Sequence, residues 1–207
     1  MKLKVQTQFL RMNIIRERIP QIIPAIQSAK SNGLSIPIVY NCGGYEKVET
    51  LRMLEGLVDI YLPDLKYHSP HLSARYSNAP DYFEKASLAI SEMFRQVGRP
   101  VFDDATGLMQ RGVIVRHLLL PKRLADSKKL LAYLYKTYKN DIFVSIMSQY
   151  TPMGIFPDMP ELNRRVFKKE YDALVDYCIF LGIENGFIQE GDVASESFIP
   201  PFDLEGV

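Results

Sequence analysis

Residues 112–121 read GVIVRHLLLP, and this stretch decides the fold. β-Branched and long aliphatic side chains fill nearly every position, the pattern of a strand covered on both faces as in parallel sheets. One charged pair interrupts it: Arg116 and His117 are neighbours, so a strand sends them to opposite faces. Three shorter runs share its character, SIPIVYN at 35–41, VDIYL at 58–62 and IFVSIM at 142–147. Helical spacing fills the intervals. It is carried by Ile22, Ile23, Ile26 and Ala29 after Pro20, with Pro24 a candidate kink and Gly33 a stop, and next by Val48, Leu51, Leu54 and Leu57. Phe83, Ala86, Ile90, Met93 and Val97 follow Asp81 and Glu84, which stand at capping-box spacing. Leu130, Leu131, Leu134 and Tyr138 follow an opening at Ser127, and Tyr171, Leu174, Val175 and Cys178 end at Gly182. Lys66, His68, Pro70 and His71 read as a polar loop. Strand and helix alternate, which specifies the α/β class with a parallel sheet.

Length and composition narrow the function. A chain of 207 residues fits a single domain, with residues 1–19 an atypical start and 183–207 an extended tail. The formal net charge is +1 and neither sign forms a run, so nucleic acid is not an expected partner. Hydrophobic residues make up 47% and charged ones 24%, the balance of a globular chain. Two cysteines, Cys42 and Cys178, exclude a disulfide scaffold, a four-cysteine zinc site and an iron–sulfur cluster held by three of these thiolates. The long uncharged stretch 31–45 contains Pro37 and Asn41, and neither it nor 142–157, which contains Gln149 and Pro152, reaches the ~18 apolar residues of a spanning helix. No membrane segment is expected. The first residues lack the apolar block and small-residue cleavage site of a leader, which makes the cytoplasm the expected location.

Ligands of parallel sheets gather at the carboxyl ends of strands. Those ends are Asn41-Cys42-Gly43-Gly44-Tyr45, Asp64-Leu65-Lys66, Arg116-His117 and Gln149-Tyr150. Carboxylate, ammonium, guanidinium and amide groups around one mouth would clamp a zwitterion through charge-assisted hydrogen bonds. Plainer readings stand beside this one. Asp64 and Lys66 also suit a surface ion pair, Gly43-Gly44 a turn needing positive φ, and His117 a satisfied core position. Arg116 within an apolar strand must meet an acid or face the cavity. His68 and His71 with Asp64 offer zinc or iron ligands, although Pro70 between the histidines argues against the helix that would align them. Cys178 lies on an apolar stripe as an inert thiol, and Cys42 as a nucleophile would need an imidazole beside it. The tyrosines Tyr61, Tyr76, Tyr82, Tyr133 and Tyr135 show no stacking pattern.

The segments PIVYNCGGYE, VDIYLPDLKY, RYSNAPDY, RGVIVRHLLLP, IMSQYTP and PELNRRV, in that order, resemble radical S-adenosylmethionine proteins akin to pyruvate formate-lyase-activating enzyme. The resemblance covers about residues 22–182. It implies an incomplete (β/α)6 barrel in which these segments supply strands three to six with flanking helices. It also implies a complete enzyme that uses S-adenosylmethionine and a 4Fe-4S cluster to generate a radical on a substrate, such as a glycyl-radical-type protein. By the same resemblance Asn41, Cys42 and Gly43 stand at the third-strand end, and Asp64 and Lys66 match an Asp-x-Lys beside the methionyl part of the ligand. Arg116 matches an arginine near its ribose or carboxylate, and Gln149 or Tyr150 an adenosine-side contact.

The family's CxxxCxxC loop and Gly-Gly-Glu segment are not found, since Gly44 is followed by Tyr45. The sequence is therefore expected to be the C-terminal two-thirds of such a barrel, inactive alone and weak for S-adenosylmethionine. The strand at 35–41 would lack a neighbour and expose an apolar edge that favours a homo-oligomer or a swapped N-terminal segment. The alternatives are a non-catalytic barrel fragment that binds a partner chain through that edge, and a metal-dependent barrel hydrolase using Asp64, His68 and His71.

Overall fold

Each apolar run becomes a strand because its alternate side chains find a helix layer on one side. In the computed structural model, which describes residues 10–13 and 19–188, the chain runs β1 (Leu10–Asn13), α1 (Ile19–Ser31), β2 (Ile38–Cys42), α2 (Val48–Arg52), β3 (Ile60–Pro63), α3 (Pro70–Ser77) and α4 (Tyr82–Val97). It continues with β4 (Val101–Phe102), β5 (Met109–Leu118), α5 (Leu124–Tyr138), β6 (Phe143–Met147), a 3-10 turn at Pro160–Leu162, α6 (Lys168–Leu181) and β7 (Gly186–Ile188). The strands pair parallel in the order β1-β2-β3-β5-β6-β7, and β4 forms a short antiparallel hairpin with β5. No pairing joins β1 to β7 among the described residues, so the sheet remains an incomplete (β/α)6 barrel.

Register separates two faces. Ile38, Tyr40, Tyr61, Val113, Val115, Val144 and Ile146 share one core with Leu51, Leu54, Ala86, Ile90, Met93, Leu130, Leu131 and Leu174 of the helices. Each fully buried aliphatic side chain there contributes roughly 1.5–3 kcal/mol. The alternate positions form the inner face. Asn41 stands opposite Leu62, Asp64 opposite Arg116, Arg116 opposite Ser145, and Leu118 opposite Met147. At the lower end of that face Phe102 meets Phe143 edge-on at 5.6 Å, and Phe143 stacks on Phe187 at 5.1 Å.

Several expectations are corrected. The strand at 35–41 is not an edge: β1, an N-terminal segment, pairs along its whole length with β2, Leu10 opposite Ile38 and Asn13 opposite Asn41. A four-residue strand carrying one arginine and one asparagine is too short and too polar for its period to be read. The tail begins as β7, and its remainder, residues 189–207, lies outside the described residues. The supposed loop around His71 is α3, because Pro70 occupies the first helical turn, where its missing N–H goes unneeded. Ser127 lies inside α5 rather than opening it, and Asp81 caps no amide of α4. The longest strand starts at Met109 and ends at Leu118. No helix among the described residues is long and apolar enough to cross a membrane.

Candidate functional site

β3 ends at Pro63, and the next residue continues as a single bridge onto β5, which sets Asp64 against Arg116. Leu65 N–H donates to Arg116 O at 2.8 Å and fixes the register there. Arg116 Nη2 lies 2.6 Å from Asp64 Oδ1, and Lys66 Nζ is 3.7 Å from Asp64 Oδ2. The acid and the guanidinium are each about one-fifth exposed, while Lys66 is 44% exposed and reaches the rim. Arg116 Nε is buried and has no hydrogen-bond partner among the described residues. The pairing of Asp64 with two cations leaves the Arg116 Nε donor unspent. An ammonium set against Asp64 and a carboxylate set against Arg116 and Lys66 would satisfy it.

A clip of backbone contacts holds this group. Gly44 has φ +81°, and a Cβ on it would stand 2.0 Å from Asp64 O, so only glycine allows the loop after β2 to lie against the loop after β3. Tyr82 joins the same two loops. Its hydroxyl lies 2.9 Å from Gly43 O and 3.0 Å from Asp64 O, and it accepts Lys66 N–H at 3.1 Å. Burial pushes the Tyr82 phenol far above its ordinary range, so it stays protonated. Tyr45 stacks on Tyr82 at 5.8 Å, and its hydroxyl donates to Asp81 Oδ1. Tyr67 packs edge-on against Tyr82 at 5.5 Å. Tyr82, which showed no stacking pattern in sequence, thus forms one aromatic support with Tyr45 and Tyr67 beside Asp64 and Lys66.

A second network closes the side of the mouth. The segment after β6 folds back through Glu161, which is buried and accepts from Tyr76 Oη and from Arg123 Nη2, each at 2.5 Å. Arg123 Nε donates to Tyr76 Oη at 2.8 Å, and Arg75 Nη2 lies 3.4 Å from the same carboxylate oxygen. The Tyr76 hydroxyl leads in holding the Glu161 carboxyl well below the usual range, to about 2, and Arg123 assists. Asp126 takes the N–H groups of His68 and Ser69, both at 2.9 Å, and thereby anchors the start of α3 to α5.

Of the residues expected at the site, Asp64, Lys66 and Arg116 come together, and Asn41 occupies the neighbouring inner position. Gly43 lies beside them, since a Cβ there would be 4.0 Å from Lys66 Nζ. Cys42 packs against the core on the helix side, where burial, with Glu46 adding to it, pushes its thiol up to about 12. It stays a thiol at neutral pH. Tyr150 spends its hydroxyl on Leu162 O at 2.9 Å, and no hydrogen bond joins Gln149 to Arg116 among the described residues. His117 takes the opposite face from Arg116: Nδ1–H donates to Leu65 O at 2.7 Å, and Nε2 lies 2.8 Å from Ser127 Oγ. His68 rests against Phe83 at 4.5 Å, and no group of three potential metal ligands exists among the described residues. Tyr82, Tyr76 and Glu161 were the residues that sequence reading missed. No local sequence signal pointed to these roles, because each partner lies far off along the chain.

A 4Fe-4S cluster held by three thiolates does not fit this chain. Its two cysteines occupy the end of β2 and the buried stripe of α6, and burial pushes both thiols up to about 12.

Comparison with known proteins places these features. No protein-family model matches the chain. It is 26% identical over 158 residues to an uncharacterized protein of Methanocaldococcus jannaschii, a match covering 76% of this chain and 42% of that protein. The chain thus spans less than half the length of the curated relative it matches. Among solved structures it resembles a domain of pyruvate-formate lyase-activating enzyme from Bacteroides vulgatus, with a TM-score of 0.57 at 11% identity, covering 87% of this chain and 97% of that domain. The likeness is one of architecture: the incomplete (β/α)6 barrel of this chain shares its fold with that domain.

Proposed function

We propose that the chain is the ligand-facing part of a radical S-adenosylmethionine activase-like barrel, and that its own task is to hold the amino-acid end of S-adenosylmethionine at the carboxyl ends of β3 and β5. The carrying observation is the buried, unpartnered Nε of Arg116 beside the Asp64–Lys66 pair on the inner face. In this reading Asp64 meets the ligand's ammonium, while Arg116 and Lys66 meet its carboxylate. The Tyr82 clip keeps the three at fixed spacing, so little ordering entropy opposes binding. The reductive step needs a cluster that these cysteines do not hold, and this chain's part is recognition.

Titration calorimetry of the full chain with S-adenosylmethionine tests the reading. The expected result is weak binding, with Kd on the order of 1 mM, and about a tenfold loss in Arg116→Ala, corresponding to ~1.4 kcal/mol. Arg116→Lys should fall between the two, because the charge remains but the forked geometry is lost. Equal heats for the wild-type chain and Arg116→Ala, with unchanged circular dichroism, would remove the proposal.

A further inference from the structure

Asp64 meets two cations that are held in different ways. Arg116 Nη2 lies 2.6 Å from Asp64 Oδ1, on a strand whose register is fixed by Leu65 N–H donating to Arg116 O at 2.8 Å. Lys66 Nζ stands 3.7 Å from Asp64 Oδ2, beyond ordinary hydrogen-bond length, and its side chain is 44% exposed. An ion pair of that kind contributes little, so the ammonium leaves Asp64 at small cost.

The backbone beneath Lys66 does not share that freedom. Its N–H donates to Tyr82 Oη at 3.1 Å, and Leu65 before it is fully buried. Motion is confined to the torsions of the flexible lysine stem, which carry Nζ without disturbing Asp64. Room is available on the side of the β2 loop. Gly43 is exposed, and a Cβ on it would meet nothing within 4 Å except Lys66 Nζ, at 4.0 Å.

A ligand ammonium aimed at Asp64 needs the place beside Oδ2, because Arg116 already holds Oδ1. Lys66 Nζ stands beside Oδ2, and two ammonium groups on one oxygen repel each other. An α-amino acid brings its own remedy. Its carboxylate is joined to the same carbon as its ammonium and gives the displaced lysine a new partner, with the Arg116 Nε donor beside it.

We propose that Lys66 is an exchangeable counter-ion that yields Asp64 Oδ2 to the ligand's ammonium and turns to the ligand's carboxylate. This rests on the assignment of Asp64, Arg116 and Lys66 to the amino-acid end of S-adenosylmethionine and adds a selection rule to it. A ligand with an ammonium and no carboxylate displaces Lys66 without offering it a partner, so the site favours zwitterions over amines.

Titration calorimetry of the full chain with S-adenosylmethionine and with its decarboxylated counterpart tests the exchange, since the two share sulfonium, adenosine and ammonium. In Lys66→Gln, S-adenosylmethionine should bind about threefold more weakly and the decarboxylated ligand about threefold more tightly, the size of one exposed ion pair. Lys66→Arg keeps charge and reach and should preserve the wild-type order. Lys85→Gln removes an exposed lysine of α4 and should leave both affinities within about twofold, which separates exchange from long-range charge. Circular dichroism checks that each variant is folded. Shifts of the same sign for both ligands in Lys66→Gln overturn the proposal, as do opposite shifts of equal size in Lys85→Gln. If Arg116→Ala still loses the heat of S-adenosylmethionine in that event, the exchange fails and the assignment of the site stands, whereas equal heats in wild type and Arg116→Ala overturn both.

Discussion

The two faces of β5 differ although one sequence run supplies both. Val113, Val115, His117 and Leu119 turn toward the helices and are at most 2% exposed, while Ile114, Arg116 and Leu118 turn inward and stay partly exposed. Packing on the helix side leaves no room for chemistry, and the inner side keeps polar groups that packing would exclude. The difference teaches that stability and recognition in this barrel are assigned by residue parity. Neighbouring leucines test it most strongly. Leu119→Ala should lower unfolding free energy by about 2–5 kcal/mol, and Leu118→Ala by about 1 kcal/mol, measured by urea denaturation. Equal losses would mean that the inner face is packed as tightly as the core, leaving no ligand space.

The next effect belongs to the mouth. Glu161 ties the segment after β6 to α3 and α5, and its carboxyl titrates below the usual range, near 2. A group with a depressed pKa stabilises fully above its unfolded value and loses that contribution as pH falls toward the folded value. The tie should therefore loosen between about pH 4.5 and 2. Glu161→Gln leaves Arg123 and Arg75 without their carboxylate and should destabilise the segment by about 2 kcal/mol. Chymotryptic cleavage at Phe156 should appear earlier in that variant, with nearly unchanged melting of the sheet. Uniform destabilisation of the whole molecule would show that the mouth is not separable from the core.

What could be read beforehand follows the same division. The four apolar strands β2, β3, β5 and β6 and the α/β class were legible because apolar patterning is a local signal repeated along the chain. Asp64, Lys66 and Arg116 were legible because charges at strand ends conflict with burial. β1 was not, since Leu10–Asn13 acquires its pairing only from β2. α3 was hidden by Pro70, a residue that breaks a helix interior and favours a first turn. Tyr82 and Glu161 were illegible for a different reason: each acts on groups far off in sequence, the Tyr82 hydroxyl reaching Gly43 O across 39 positions and Glu161 meeting Tyr76 across 85. Spacing along the chain carries no trace of such contacts.

The smallest effect separates two adjacent residues. His117 Nδ1–H donates to a carbonyl, which can only accept, so a neutral imidazole offers its Nε2 lone pair to the Ser127 hydroxyl. Burial lowers the His117 pKa, outweighing the Leu65 carbonyl and the more distant Asp126 and Asp64 charges that favour the cation. The unfolded chain takes up this proton near pH 6.5 and the folded chain only at lower pH. Stability from this group is thus complete above about pH 6.5 and declines as pH falls toward the depressed folded value, by at most ~1.4 kcal/mol per unit. Melting temperature should fall between pH 7 and 5, and His117→Gln should flatten that slope without altering the heat of S-adenosylmethionine binding at neutral pH. Arg116→Ala should do the reverse, keeping the slope and losing the heat. An unchanged slope in His117→Gln would show that other groups set the acid response, and a lost heat would place the imidazole on the ligand side, against the division of β5 into two faces.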